Sequence, residues 1–577
     1  MLLLVALAAT CCLAFAGSAA AASRATTPTI SQNVWGGSDH VPGFRLTPRQ
    51  VIAIAATSPK VQRELRTHSG LTPGAFSLTG QGYDGTWQVT WIKNCGVRCH
   101  LYAKTAMSDQ VMSVYVKDGT GRILSVWTGL AAQTDLARGD PSYVGYVLNA
   151  SYVWIPLCLL FLIPFVDRRR PFRLLHLDLL VLLGFGVSQF FFARGNVGVS
   201  VPLVYPVLAY LLVRMLYAGF RPRRSAEPLV PWVRSRWLLV GIVVLVAFRI
   251  GLDVADSNIL DVGAAGSVGA NQIIHGGQLY DGSVGRLVGG GDTYGPANYL
   301  AYVPFRLVLH SGDEFDNAAI RGAAIFFDLL TLGGLFVLGR RLRAGPDGTK
   351  MGLALAYAWA AFPYSALALS ENTNDTLIAA LLVWTMVVLL SPWRRGILLA
   401  AGSLVKFVPL ALVPLIATGK GPRSTRAWLT FGLAFAATAL VLIVPFVPPS
   451  SVHRFYSLTL GAQLHRKTPL SLWGQASSLE ALKYLLSAAT VGLGIFLAFR
   501  PAVRSRAQVA AFSAALLIAI QICVSYWYYT YVVWFAPLAF VALFAQYRLG
   551  DETPEQPAEA PDAIERPELA VAEPVAG

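Results

Sequence analysis

Runs of about 20 apolar residues recur along this chain, and they limit its fold more than any other feature. A helix rises 1.5 Å per residue, so about 20 residues are needed to cross the hydrocarbon of a bilayer. Such runs fall near 146–166, 174–193, 197–217, 236–255, 318–339, 352–370, 376–391, 396–417, 427–446, 482–499, 507–524 and 527–547. With 55% hydrophobic and only 13% charged residues, the composition excludes an ordinary soluble protein. The expected fold is a polytopic α-helical membrane protein of about 11–13 spans.

The net charge of +15 would suggest nucleic acid in a soluble protein. Here the basic residues cluster in short connections: VDRRRPFR (Val166–Arg173), Phe220–Arg236, GRRLRAG (Gly339–Gly345), PWRRG (Pro392–Gly396), Gly419–Arg426 and Phe499–Arg506. Such loops stay on the cytoplasmic side, so the charge is topogenic and no nucleic-acid partner is expected. Alternating sides from an exported N-terminus satisfies these loops, except that 396–417 has basic flanks at both ends. Two half-helices forming a hairpin, broken near Pro409 or Pro414, repair the alternation. Tyr294–His310 is then a helix lying on the outer surface. Asp253–Phe305, Glu371–Asp375 and Ser450–Ser478 all face outward.

The ends of the chain differ from the spans. Residues 1–23 read as a signal peptide cleaved near Ala20–Ala22, with an uncleaved anchor as the alternative. Residues 24–140 are mixed polar. Thr47–Leu65 has helical spacing, and Thr86–Ile92 and Met112–Gly129 alternate as strands, with a turn at Asp118-Gly119. The expectation is a small extracytoplasmic α+β domain, and its helix, W-x-V strand and D-x-T-G turn resemble the PepSY-type modules. An exported Cys95 and Cys99 form a disulfide-closed loop. Residues 141–235 carry three spans, and 236–548 form the main membrane domain. The Glu/Pro/Ala-rich tail, 549–577, is expected to be disordered and cytoplasmic.

The Asp253–Phe305 loop is the place to look for chemistry. It holds Asp253, Asp256, Asp261, Asp281 and Asp292, and is far longer than a connection of roughly 4–6 residues. A second outward loop, His453–Gly474, is basic and aromatic. An acidic group at the bilayer surface can take a proton from a hydroxyl, and neighbouring cations can stabilise a developing phosphate charge. The pair suits attack of an acceptor hydroxyl on a sugar carried by a lipid phosphate. The acidic loop has no D-x-D pair, so neither metal nor cofactor is expected.

Several motifs then line up in order. They are Asp261-Val-Gly-Ala-Ala265, Gly277-Gln-Leu-Tyr-Asp281, Tyr294-Gly-Pro-Ala-Asn-Tyr-Leu300 with Pro304-Phe305, Asn372–Asp375, Ala400–Pro409 and Tyr526–Pro537. Over roughly 236–547 the chain resembles the membrane glycosyltransferases of the C superfamily. It is most similar to the polyprenyl-phosphate-mannose-dependent α-mannosyltransferases of actinobacteria. Ala297 and Ala265 stand where that family usually has a proline and an aromatic residue.

The resemblance implies an inverting transferase with an outer-face site in the cell membrane. It would move mannose, or another hexose or pentose, from a polyprenyl-phosphate donor to an exported lipid or glycan. The resemblance puts Asp261 in the place of the base, with Asp256 second. His465, Arg466, Lys467 and Lys406 are candidates for the donor phosphate. His275, Tyr280, Tyr294, Asn374, Asp375 and Trp473 are candidates for the cavity or acceptor. Two rivals stand beside this reading: a transporter or lipid-linked-sugar flippase, and a ligand-sensing assembly protein.

Overall fold

The computed structural model describes residues 29–34, 40–79, 85–93, 110–132, 145–309, 317–419, 424–466 and 468–549. The leader, Cys95, Cys99, Lys467 and the acidic tail lie outside these residues.

The N-terminal region is an antiparallel sheet of β1 (Thr29–Val34), β2 (Thr72–Thr79), β3 (Thr86–Ile92), β4 (Gln110–Lys117) and β5 (Ile123–Thr128), each strand pairing with the next. Two helices, α1 (Pro48–Ala56) and α2 (Pro59–Thr67), cover one face. The single helix expected over 47–65 is broken, because Pro59 has no N–H to continue the ladder. Thr47 and Gln50 close a capping box at the start of α1. Val51, Ala55 and Val61 bury against Trp87, Val89 and Trp91. The alternation of β3 predicts a wet second face, yet Gln88 and Thr90 are buried too, with Gln88 Nε2 donating to Ser113 Oγ at 3.1 Å. Trp127, at the end of β5, rests on Gly195, where an added Cβ would come within 2.7 Å of its ring. That contact docks the sheet domain on the membrane helices.

The rest is helical, and the chain is a polytopic α-helical membrane protein. Three apolar segments come first: α3 (Ser151–Leu162), α4 (Leu174–Leu183) continuing into α5 (Phe185–Ala193), and α6 (Val197–Phe220). Then follow α7 (Ser235–Ala255), α8 (Asp261–Ile274), α9 (Pro296–Val308), α10 (Asn317–Leu342), α11 (Gly345–Ala361), α12 (Pro363–Ser370) and α13 (Asp375–Val387). The last are α14 (Pro392–Val405), α15 (Val413–Thr418), α16 (Thr425–Ile443), α17 (Glu480–Phe499), α18 (Arg506–Cys523) and α19 (Val532–Phe544). Among the described residues, seven helical segments are long and apolar enough to cross a membrane, or eight if α11 and α12 form one span. The remaining expected spans are shorter apolar helices.

Two irregular spans have identifiable causes. α11 and α12 meet at 56°. Pro363 cannot donate to the Trp359 carbonyl four residues earlier, and in lipid a freed carbonyl needs another donor. Ser365 Oγ supplies one at 2.6 Å, and Arg249 Nη1 reaches the carbonyls of Trp359 and Ala360 at 3.3 Å. Arg249 also pairs with Asp328, which takes the Trp359 indole N–H at 2.9 Å. The segment 396–417 is the other. α14 ends at Val405, and the chain returns through a 3₁₀ turn (Val408–Leu412) and α15. Arg395 Nη2, near the start of α14, donates to Ala417 at 3.0 Å, so the two ends lie side by side. The segment is a re-entrant hairpin with Lys406 at its tip.

The Asp253–Phe305 stretch is far more helical than its polar composition suggests. α8 and α9 pack against one another, and an added Cβ at Gly266 or Gly269 would come within 2.4 and 2.1 Å of the rings of Tyr302 and Tyr299. Small residues let the helices approach where lipid offers no hydrophobic drive. The expected outer-surface helix is present as α9, but it buries Asn298, Tyr299, Tyr302 and Arg306 instead of floating on the surface.

The connections sort into two ends. At one, Asn372 reaches Asp253, Ser257 and Asn258, and Arg454 reaches the carbonyl of Asp281. At the other, Arg173 pairs with Glu227, Arg506 donates to Arg341, and Arg343 donates to Ala545. The loops grouped as outward by charge thus meet one another, and so do the basic ones.

Candidate active site

The outward loops are fastened by Glu371–Asp375. Backbone amides of Asn258 and Leu260 donate to the carbonyls of Ser370 and Glu371 at 2.9 and 3.1 Å. Asn372 takes φ +49, a left-handed conformation that asparagine tolerates better than most residues. From there its Nδ2 donates to Asp253 Oδ1 at 3.0 Å, Ser257 Oγ at 3.1 Å and the Asn258 carbonyl at 2.8 Å. The knot fixes the three residues that lead into α8.

Asp261 is the first residue of α8, where a carboxylate also complements the helix dipole. Its Oδ1 accepts from the Val262 amide at 2.9 Å. The side chain is exposed to water, yet so much protein surrounds it that desolvation raises its pKa above the ordinary aspartate range. Both hold for a residue on a cavity wall. Arg466 is the cation that opposes the rise most strongly; Lys406 adds to that opposition, and Asp375 works the other way.

Lys406 is buried and pairs with Asp375, which also accepts the Trp534 indole N–H at 2.8 Å. Its ammonium lies 5.2 Å from the ring centres of Tyr531 and Trp534 and 5.9 Å from that of Tyr294. Those are cation–π distances. Tyr531 stacks on Trp534 at 4.1 Å. Arg466 is exposed, its guanidinium 3.8 Å from the ring centre of Tyr526. The wall therefore carries one carboxylate, two cations from different elements, and half-buried tyrosines 294, 526 and 531.

Among the sequence candidates, Asp261, Arg466, Lys406, Tyr294 and Asp375 converge. Asn374 sits just behind, its Nδ2 donating to Asn298 Oδ1 at 2.7 Å. Tyr280 is buried, and its hydroxyl holds the Tyr294 carbonyl at 2.9 Å, so it supports the wall without lining it. Three expectations are corrected. His275 follows the far end of α8, and 14 residues at 1.5 Å put it about 20 Å from Asp261. Trp473 is buried, edge-on to Tyr205, with its N–H on the Ile522 carbonyl at 2.8 Å, so its face is not free for sugar. Asp256 gives both oxygens to the amides of Gly145 and Val147, at 3.0 and 2.8 Å, and clamps the start of the first span. His465 closes a short helix (Ala462–His465) directly before Arg466. Tyr526, Tyr531 and Trp534 complete the group, with Asn298 buried behind it. Asn298 lay in the Tyr294–Leu300 motif and the three aromatics in Tyr526–Pro537, but a run of aromatics at an interface is ordinary and singled out none of them. Among the described residues, no three His, Cys, Asp or Glu side chains gather as a metal site would require.

A polytopic bundle in which a water-exposed carboxylate and two cations gather defines a membrane protein with the side chains that group transfer uses. The family model for glycosyltransferase family 87 matches residues 293–545, which supports a membrane glycosyltransferase. The match includes Tyr294, Asn374, Asp375, Lys406 and Arg466; Asp261 lies before it. No curated protein matches the chain.

Proposed function

We propose that the protein transfers a sugar, mannose by preference, from a polyprenyl phosphate to an exported lipid or glycan. The site would face outward from the cell membrane, with the tail cytoplasmic. The observation that carries this reading is a water-exposed Asp261 on which the charges of both Arg466 and Lys406 act. Asp261 removes the acceptor hydroxyl proton. The acceptor oxygen bonds to the anomeric carbon as the bond from that carbon to the phosphate oxygen breaks, and configuration inverts. The electron pair leaves with the lipid phosphate, whose charge Arg466 and Lys406 stabilise. The proton stays on Asp261 until solvent takes it. No metal enters this scheme.

Membranes bearing Asp261→Asn, supplied with labelled polyprenyl-phosphate mannose, should transfer about 10²–10⁴-fold more slowly. Thermal stability should be unchanged or slightly higher. Desolvation raises the folded carboxyl above its unfolded value, so the wild-type charge costs stability as pH rises between the two. Full transfer by this variant would overturn the reading.

A further inference from the structure

The spans α3 to α6 precede the family match and touch both halves of the candidate site through one chain of hydrogen bonds. At the acidic end, Asp256, five residues before Asp261, holds the amides of Gly145 and Val147. Asn149 Nδ2 then donates to the Gly145 carbonyl at 3.1 Å, and Gln189 Nε2 on α5 donates to Asn149 Oδ1 at 2.8 Å. The neighbouring Ser188 hydroxyl donates to the Ser200 carbonyl on α6 at 2.6 Å and meets Tyr529 Oη at 2.7 Å. α6 carries the chain to the basic end. Tyr205 Oη accepts the Leu472 amide at 2.9 Å, its ring edge-on to Trp473. Gln475 Nε2 donates to the carbonyls of Val197 on α6, at 3.2 Å, and Pro469, at 2.7 Å. The stretch from Thr468 to Gln475 is therefore pinned to α6 as well as to the end of α18 and the turn after it, where Trp473 and Thr468 dock on the carbonyls of Ile522 and Ser525.

None of these span residues lies on the cavity wall. They hold backbone atoms of the two loops that do, which sets position and not chemistry. We propose that residues 145–220 form a brace that sets the separation of Asp261 and Arg466, with Asn149, Gln189 and Tyr205 as its positioning residues. The proposal rests on the reading of Asp261 as base and Arg466 as a phosphate-binding cation. A loop as long as 466–475 would otherwise hold its geometry only against the entropy of its own freedom.

The test uses the full chain in detergent or membranes. Tyr205→Phe removes the acceptor for the Leu472 amide and keeps the ring on Trp473; Gln189→Leu cuts the brace in its middle. Amide exchange over 468–475 should rise about fivefold in Tyr205→Phe, the equivalent of one hydrogen bond, and exchange over 145–149 should rise in Gln189→Leu. The functional readout is the acid limb of the pH–rate profile. Asp261 is faced by Arg466, Lys406, Asp375, Tyr294 and Tyr531, and the brace governs only the first. Tyr205→Phe should therefore move the limb to higher pH, as Arg466→Gln does, and should move it no further in an Arg466→Gln background. Unchanged exchange would overturn the brace. So would faster exchange with an unmoved limb, if Arg466→Gln alone moves it. If Arg466→Gln leaves the limb in place, the assignment of Arg466 fails, and the brace falls with it.

Discussion

Two buried ion pairs divide this molecule. Arg249–Asp328 lies between α7 and α10, and Lys406–Asp375 lies at the tip of the re-entrant hairpin. Each joins a cation to an aspartate that also accepts an indole N–H, from Trp359 in one and Trp534 in the other. The difference is what else the cation touches. Arg249 also turns Nη1 to the carbonyls at the bend before Pro363. Lys406 faces the rings of Tyr294, Tyr531 and Trp534 and adds to the field at Asp261. A pair tied to the backbone of a bend is a fastener, and a pair bordered by π-faces and a water-exposed carboxylate can still take a ligand.

The largest effect should separate the two on stability. Arg249→Leu leaves Asp328 charged and takes the side-chain donor from the Ala360 carbonyl, while Trp359 keeps Ser365, and should cost about 3–5 kcal/mol. It should be seen as a loss of monodisperse protein and a fall in thermal midpoint in detergent. Adding Asp328→Leu should recover only part of this. An ordinary buried pair can be replaced by apolar residues at little cost, but here the Ala360 carbonyl still lacks its donor. Full recovery would make the pair ordinary and break the comparison.

Lys406→Met should act in the opposite column. Transfer should fall by about 10²–10³-fold, the effect of removing one donor from a developing oxyanion. Asp375 keeps its indole hydrogen bond as Asp328 does, but among the described residues Lys406 holds no backbone carbonyl at a bend, so the fold should lose less than in Arg249→Leu. A variant that loses thermal stability in proportion to activity would make Lys406 a fastener too.

A smaller effect tests the field at the wall. Desolvation raises Asp261, and Arg466 is the strongest influence pulling it back. As a base it must be ionised, so activity should fall as pH drops through its raised pKa. Arg466→Gln removes the favourable charge, so the acid limb should move to higher pH, measured as kcat/KM across pH. A shift to lower pH would show that Arg466 does not face the carboxylate.

These contrasts explain what the sequence disclosed. Length and hydropathy place the spans, because a bilayer imposes the same requirement on every crossing. Basic flanks disclosed the re-entrant hairpin, because one crossing cannot start and end on the same side. Motif order led to Asp261 and Lys406, and the basic loop His453–Gly474 to Arg466. What stayed hidden was pairing at a distance. Nothing in the sequence links Asn372 to Asp253, Asp256 to the amides of Gly145 and Val147, or Tyr205 to Leu472. Asp328 lies within an apolar stretch and Asp375 at the start of one, and only their partners reveal which is the fastener. His275 shares a loop with Asp261 in the sequence, and the regular rise of α8 carries it away.

The smallest effect concerns a fastener outside the spans. Asp118, at the β4–β5 turn, accepts the amides of Arg45 and Leu46 at 2.7 and 2.9 Å and the indole N–H of Trp87 at 3.0 Å. Desolvation is the largest single influence and would raise its pKa, but the donors together, Arg45 first, outweigh it and hold the pKa below the usual value. A depressed folded pKa stabilises at pH above the unfolded value, near 3.9, and that contribution disappears as pH falls through the folded one. Asp118→Asn keeps the shape and loses the charge. It should lower the stability of the sheet domain by about 1 kcal/mol at neutral pH, read as faster proteolysis or amide exchange over α1 and β3. The loss should vanish in strong acid, where the wild type is also neutral. Transfer activity should change little, since Asp118 fastens only the domain docked through Trp127. A large fall in activity would instead join the sheet domain to the brace on which α6 holds the basic loop.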